Sequence, residues 1–256
     1  MKKYLISIDS DDGVRLKNFF AQQIFATCKN DFMKFGVKGA ELTVKEYFDL
    51  GVAGHNKALT PSELGCTLSH LEALKDFLSS NDQYAIVFED DAIEKVSFLL
   101  DALEPKVKAL NLKDGFLLSL GGIQLAFSEK VKGRALENLL FDHTVLEIHP
   151  YYYKNLSSTY AYLLDRKMAE ILILYHQIPK GCDHWGGLAY LDEVPHLYAT
   201  YLFDHPEIEI GTQNSYIESE RLSAKSPEIG FSRKLGIFDK LLKKLISLFL
   251  KKHSDL

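Results

Sequence analysis

The chain has 256 residues, 46% hydrophobic and 25% charged, with 16 glycines, 7 prolines and a formal net charge of −5. That is enough apolar material for one large core, and too little Gly and Pro for a disordered chain. The charge is uneven: from Arg233 to Leu256 seven Lys or Arg stand against two Asp, and the remainder is acidic, which excludes the basic surface of a nucleic-acid binder.

The opening "MKKYLISIDSDD" has two lysines, but its apolar run is too short for a secretory h-region, so it is expected to form a buried strand over Tyr4 to Ile8. No run reaches the ~18 apolar residues of a membrane span. Val14 to Cys28 carries Leu16, Phe19, Phe20, Ile24 and Phe25 at helical spacing. Residues 36–59 show no clear period. "TPSE" then combines an N-cap at Thr60, Pro61 at the first helical position and Glu63 at the third, which predicts a helix start. Tyr84 to Phe88 reads as a strand buried on both faces. Val96 to Leu110 is predicted as helix and Phe116 to Leu120 as a strand ending in Gly121-Gly122. Thr144 to Tyr153 and Tyr160 to Leu164 are predicted as further strands, Asp165 as the cap of a helix to about His176, and His196 to Phe203 as an outer strand. Residues 206–230 are polar and turn-rich. The alternation of strand and helix predicts an α/β sandwich with a mostly parallel central sheet, whose ligands bind at the carboxyl ends of the strands.

Three carboxylates, Glu89, Asp90 and Asp91, stand together at one such end. Like charges this close stay ionised only beside water or a cation. A hard divalent ion would suit them as oxygen ligands and leave positions for phosphate. A solvated strand end with capping acids before Ala92 is the plainer alternative, and spacing alone does not choose between the two. The cysteines, Cys28, Cys66 and Cys182, are odd in number, widely spaced and in no zinc-like pair, as expected of a reduced cytosolic compartment.

"ALTPSELGCTLSHLEALKDFL", followed by "YAIVFEDDAI", spans Ala58 to Ile93 and resembles the signature of glycosyltransferase family 25, which includes bacterial lipooligosaccharide galactosyltransferases. "KYLISID" with Arg15, "STYAYLLDRKMAEILI", "IPKGCDHW" and "HPEIEIGTQNSYIES" extend the likeness over about four fifths of the chain. Two departures stand out: the opening loop carries one arginine where the family has a close pair, and Pro179 precedes Asp183 by more than the family's P-x-D spacing.

The resemblance implies a GT-A-like fold over residues 1–230, to which the pattern of residues 231–256 adds a C-terminal helix. It implies a metal-dependent, inverting transfer of a hexose, galactose from UDP-galactose, to a lipooligosaccharide core sugar. Glu89, Asp90 and Asp91 take the part of a DxD motif holding Mn²⁺ or Mg²⁺, with His205 completing the shell. Ser10, Arg15, Gly65, Ser69, His70, Glu89, Asp90 and Asp91 become donor-binding residues. Asp183 becomes the base, with Asp192 and Glu193 as rivals, alongside Asp91 as a catalytic residue; Trp185 and His184 serve the acceptor. Each has a plainer reading: His70 as a core histidine, Asp183 as an N-cap beside a packing Trp185, Cys66 as structural, and "HPYYYKN" (His149 to Asn155) as an edge strand instead of an acceptor shelf. A nucleotide-sugar or phosphodiester hydrolase and a non-catalytic carbohydrate-binding protein of the same fold remain as alternatives.

In "FSRKLGIFDKLLKKLISLFLKKHSDL" the residues Leu235, Phe238, Leu241, Leu242, Leu245, Ile246, Phe249 and Leu250 share one helical face and most lysines the other. This is the pattern of a helix lying on an anionic membrane surface, and equally of one docked on the body or on a second copy of the chain. A cytoplasmic protein held peripherally at the inner membrane is the expectation.

Overall fold

The computed structural model describes residues 1–123, 130–206, 217, 220 and 237–252, with backbone only at 237 and 238. The elements are β1 (Lys2–Ile6), α1 (Val14–Ala21), α2 (Gln23–Ala26), β2 (Phe32–Phe35), α3 (Val44–Tyr47), α4 (Pro61–Ser79), β3 (Tyr84–Glu89), β4 (Ile93–Glu94), α5 (Leu103–Ala109), β5 (Phe116–Ser119), β6 (Lys132–Ala135), β7 (Leu146–Ile148), β8 (Ala161–Asp165), α6 (Arg166–Tyr175), β9 (His196–Ala199), β10 (Phe203–Asp204), α7 (Ile237–Ser247) and β11 (Lys251–Lys252). Residues 207–216 and 231–236, which include most of the closing "HPEIEIGTQNSYIES" segment and Leu235, lie outside the described residues.

Nine strands form one sheet in the order β11-β6-β7-β9-β5-β8-β3-β1-β2. β2, β1, β3, β5, β9 and β6 point one way, so the sheet is mostly parallel in strand direction; β8, β7 and β11 run against them. Helices cover both faces, which makes the α/β sandwich read from the sequence. The alternation along β3 shows why: Ala85 and Val87 face the cluster built by Ala73, Leu74 and Phe77 of α4 and Met168, Ala169 and Leu172 of α6. Ile86 and Phe88 face Leu16, Phe19, Phe25, Leu103 and Val107. All four β3 side chains are fully buried, and such burial contributes about 1.5–3 kcal/mol for each large side chain.

Several predicted elements are shorter than their periodicity, each for a local reason. The helix from Val14 breaks at Gln22, which is extended, and whose side chain donates to Ala92 O (2.9 Å) and accepts from Glu94 N (2.5 Å). The break lets Phe19 stack on Phe25 at 4.0 Å. The helix over 96–110 keeps only a turn of 3₁₀ helix at Leu100–Ala102 and α5, because Pro105 has no N–H and must lie in the first turn. Thr144 to Tyr153 reduces to β7; Pro150 then opens a 3₁₀ helix, Pro150–Asn155, that buries Tyr152 and Tyr153 and bonds the Tyr153 hydroxyl to Pro195 O at 2.6 Å. The aromatic run is therefore a 3₁₀ helix with two buried tyrosines, not an edge strand. β9 is an inner strand between β7 and β5, not an outer one. Within 36–59, a capping box at Thr43 and Glu46 starts α3, too short to show a period.

The C-terminal helix divides its faces differently from the simple amphipathic reading. Lys243 donates to Tyr151 O (3.3 Å) and lies 4.4 Å over the Tyr152 ring, and Leu250 packs on the core. Lys251–Lys252 leave the helix and pair with β6. Leu241, Leu242, Leu245, Leu248 and Phe249 stay exposed, Phe249 at 84%. No helix among the described residues is long and apolar enough to cross a membrane.

α4 starts as read, with both halves of the capping box at Thr60 and Glu63 and Pro61 in the first turn. A glycine inside it, Gly65, is a packing device: a Cβ there would lie 2.5 Å from Val37 O and 2.6 Å from Gly39 N. Helix propensity alone favours Gly→Ala by about 0.8–1 kcal/mol, but backbone cannot yield as a side chain does, and overpacking costs about 1–3 kcal/mol. Gly65→Ala is expected to lower the thermal midpoint, against its helix propensity; an unchanged or raised midpoint would show that the Val37–Gly39 segment moves freely away from α4.

Candidate active site

The register of β1 on β3 sets Ile6 opposite Glu89, so the chain leaving β1 runs beside the three carboxylates. Ser7, buried, donates its hydroxyl to Asp90 at 2.5 Å. Arg15, in the first turns of α1, donates Nε to Asp90 at 2.7 Å and Nη2 to Asp91 at 3.0 Å. His205, just past β10, brings Nε2 to 3.3 Å from Asp91 Oδ2. Glu89 faces a different set: Thr159 donates to it at 2.5 Å, and His70 Nε2 lies at 3.3 Å while Nδ1 pairs with the Tyr162 hydroxyl at 2.9 Å. Three adjacent acids are thus served by four separate stretches of chain.

Their titration differs accordingly. Burial pushes the Asp90 carboxyl up, with Ser7 and Arg15 resisting. Burial acts the same way on Asp91, but the hydrogen bond and charge of His205, and then Arg15, outweigh it and hold Asp91 low. Arg15 and His205 are both raised: burial opposes their charge, and the carboxylates overcome it. Arg15 and His205 thus stand as the cationic partners of Asp90 and Asp91 on the rim of the cluster. One atom stands out. Asp91 Oδ1 is buried and has no hydrogen-bond partner among the described residues. A buried carboxylate oxygen without a partner is costly, and it is a hard donor suited to a divalent cation.

The "IPKGCDHW" segment reaches the same edge of the sheet. Because β8 is antiparallel to β3, its amino end lies beside Glu89, and Ser158, in the left-handed region at φ 62°, donates its N–H to Asp183 Oδ2 at 3.4 Å. Cys182 Sγ is 3.2 Å from Thr159 Oγ1, so Thr159 links Glu89 to the residue before Asp183. Asp183 itself is exposed. Gly121-Gly122, at the end of β5, lies close under this bend: a Cβ on Gly122 would sit 2.0 Å from Ser157 O.

The other predicted site residues have plainer surroundings. Ser69 accepts from Val37 N and donates to Gly65 O, both at 2.7 Å. Ser10 is exposed and donates to Asp12 at 2.8 Å. Trp185 is 3% exposed and packs in the core beside Tyr162, and its Nε1 finds no acceptor among the described residues. His184 is half-buried and pairs with the Tyr175 hydroxyl at 2.5 Å, and burial holds its imidazole low. Of the rival bases, Glu193 pairs with Lys167 at the surface. Ser7, Thr159 and Tyr162 lie within the segments that carry the family likeness, but are not singled out by it: Ser7 and Thr159 acquire their roles from Asp90 and Glu89 at the end of the neighbouring strand, and Tyr162 from His70 on α4.

The sequence profile of glycosyltransferase family 25, described as an LPS biosynthesis protein family, matches residues 1–185. That span contains Ser7, Arg15, His70, the three carboxylates, Thr159 and Asp183. No curated protein matches the chain. A chain matched over most of its length, with its acidic cluster and converging segments inside the match, belongs to glycosyltransferase family 25, a family of LPS-biosynthesis transferases.

Proposed function

We propose that this glycosyltransferase is a metal-dependent inverting hexosyltransferase that moves galactose from UDP-galactose to a core sugar of lipooligosaccharide. The observation that carries the metal reading is the buried Asp91 Oδ1, which has no hydrogen-bond partner among the described residues and lies among three carboxylates. Asp91, Asp90 and Glu89, with His205 on the rim, would hold Mn²⁺ or Mg²⁺, which when bound supplies Lewis-acid neutralisation of the donor diphosphate. Arg15 adds a fixed cation beside the same carboxylates. Asp183, exposed at the mouth, takes the proton of the acceptor hydroxyl as its oxygen attacks the anomeric carbon. The bond to the diphosphate oxygen breaks, and its electron pair leaves with the UDP. A carboxylate in hydrogen-bond reach is worth about 10²–10⁴-fold in rate.

Two substitutions separate these roles. Asp91→Asn is expected to abolish Mn²⁺ binding, followed by the ion's electron paramagnetic resonance, and to lower transfer more than about 100-fold. Unchanged Mn²⁺ affinity would end the metal reading. Asp183→Asn is expected to lower kcat about 10²–10⁴-fold with donor KM nearly unchanged; full activity, or a loss confined to donor KM, would move the base elsewhere. UDP release without acceptor at the full rate would favour the hydrolase, and no release under any condition the non-catalytic carbohydrate-binding protein.

We propose further that α7 holds the enzyme at an anionic membrane surface, where lipid-linked acceptors lie. Its exposed leucines and Phe249 share the C-terminal segment with Lys243 and Lys252, which together with Lys130, Lys132, Lys154, Tyr152 and Asn155 line a cleft of about 540 Å³ with no acid among the described residues of its lining. An apolar row beside a cationic cleft suits acyl chains next to anionic headgroups. The double variant Leu242→Asp/Leu245→Asp is expected to lose co-sedimentation with anionic phospholipid vesicles while transfer to a soluble acceptor persists. If the parent protein ignores such vesicles, or the variant instead changes from dimer to monomer, the surface serves a second copy of the chain.

A further inference from the structure

The three cysteines look unrelated in the sequence, yet the fold brings two of them together. Cys66 and His70 lie one turn apart on α4, on the side that faces the segment before Asp183. Cys182 arrives from that segment, 116 residues away, with its Sγ 3.5 Å from that of Cys66. One donor atom from each of Cys66, His70 and Cys182 falls within 4.8 Å of the other two. Both thiols are free. Two thiolates on a tetrahedral Zn²⁺, with Zn–S bonds of about 2.3 Å, sit about 3.8 Å apart, close to the spacing here.

We propose that Cys66, His70 and Cys182 form a binding site for a soft divalent cation, Zn²⁺ by its chemistry, distinct from the hard-ion cluster at Glu89–Asp91. Three features beyond the ligand set support it. A cavity of about 20 Å³, room for about one water or ion, reaches two of the three ligands, His70 and Cys182, and is otherwise walled by Thr67, Thr159, Tyr162, His176 and Trp185 and by leucines of α4 and α6. His70 has an oxygen partner for either ring nitrogen, Glu89 or Tyr162, so one nitrogen can ligate while the other is oriented, as metal-bound histidines require. The surroundings also suit a cation: the Glu89 carboxyl group faces His70, and the Asp183 carboxyl group follows Cys182 in the chain. Binding replaces two S–H bonds with two Zn–S bonds and releases two protons, and a three-residue ligand set leaves a fourth tetrahedral position to water. The ion would clamp α4 to the residue before Asp183; that consequence alone rests on Asp183 being the base, and the site itself does not.

The test uses the reduced, chelator-treated full chain titrated with Co²⁺ alone and then with Zn²⁺. The expected result is one equivalent of Co²⁺ giving intense visible bands of a tetrahedral site and a near-ultraviolet thiolate-to-cobalt band, both erased by Zn²⁺. Cys66→Ser and Cys182→Ser should each weaken binding more than about tenfold and reduce the thiolate band, and Cys28→Ser should match the parent. As a check that needs no variant, Zn²⁺ should protect Cys66 and Cys182 of the parent from alkylation, mapped by peptide mass. A pale six-coordinate spectrum without a thiolate band reports the carboxylate cluster alone and overturns the proposal; so does alkylation unaffected by Zn²⁺. Neither readout depends on transfer, so the failure of this site and the failure of the transferase reading are separable.

Discussion

Repulsion among Glu89, Asp90 and Asp91 is the constraint around which the carboxyl edge of the sheet is organised. Three adjacent negative charges at the end of a strand buried on both faces are unfavourable unless each is compensated. The protein meets that requirement with groups from distant parts of the chain: Ser7 and Arg15 for Asp90, Arg15 and His205 for Asp91, Thr159 and His70 for Glu89. The compensation is also what ties β1, α1, α4, β8 and the chain after β10 to one point. It leaves one buried carboxylate oxygen, Asp91 Oδ1, without a hydrogen-bond partner among the described residues.

The sheet supplies the geometry that makes this compensation reachable. Parallel pairing of β1 with β3 brings their carboxyl ends to the same edge, so the residue after Ile6 meets the residue after Glu89. An antiparallel β8 on the other side of β3 presents its amino end there instead, and with it Thr159 and the bend at Ser158 that receives Asp183. A fully parallel sheet would have put the carboxyl end of β8 there. The direction of β8 is thus as consequential for the site as the acidic triplet itself. On the far edge, β11 pairs with β6 and Lys243 lies over Tyr152, which seats α7 with its leucines turned outward. A wide apolar face on a terminal helix is usually spent on the body of the protein; here a lysine, held between a carbonyl and a ring, occupies part of the inward face.

What the sequence determined by itself was whatever depends on neighbours along the chain. The continuous apolar run of Tyr84 to Phe88, the Thr60–Glu63 capping box, the Asp165 cap and the acidic triplet are local patterns, and the α/β class and the position of the cluster follow from them. Local patterns also misled where a single residue overrode the period, as Gln22 and Pro105 do in the predicted helices. Tertiary structure alone decided the rest, because pairing register and strand direction are set by contacts between segments that no local period encodes. Ser7 and Thr159 are ordinary residues beside strand ends until the register places them against Asp90 and Glu89, and Tyr162 is an ordinary strand residue until α4 packs His70 onto it. Cys66 and Cys182 are unrelated thiols until α4 and the segment before Asp183 pack side by side, and only the packed structure shows Gly65 pressed against the Val37–Gly39 backbone and Trp185 buried in the core.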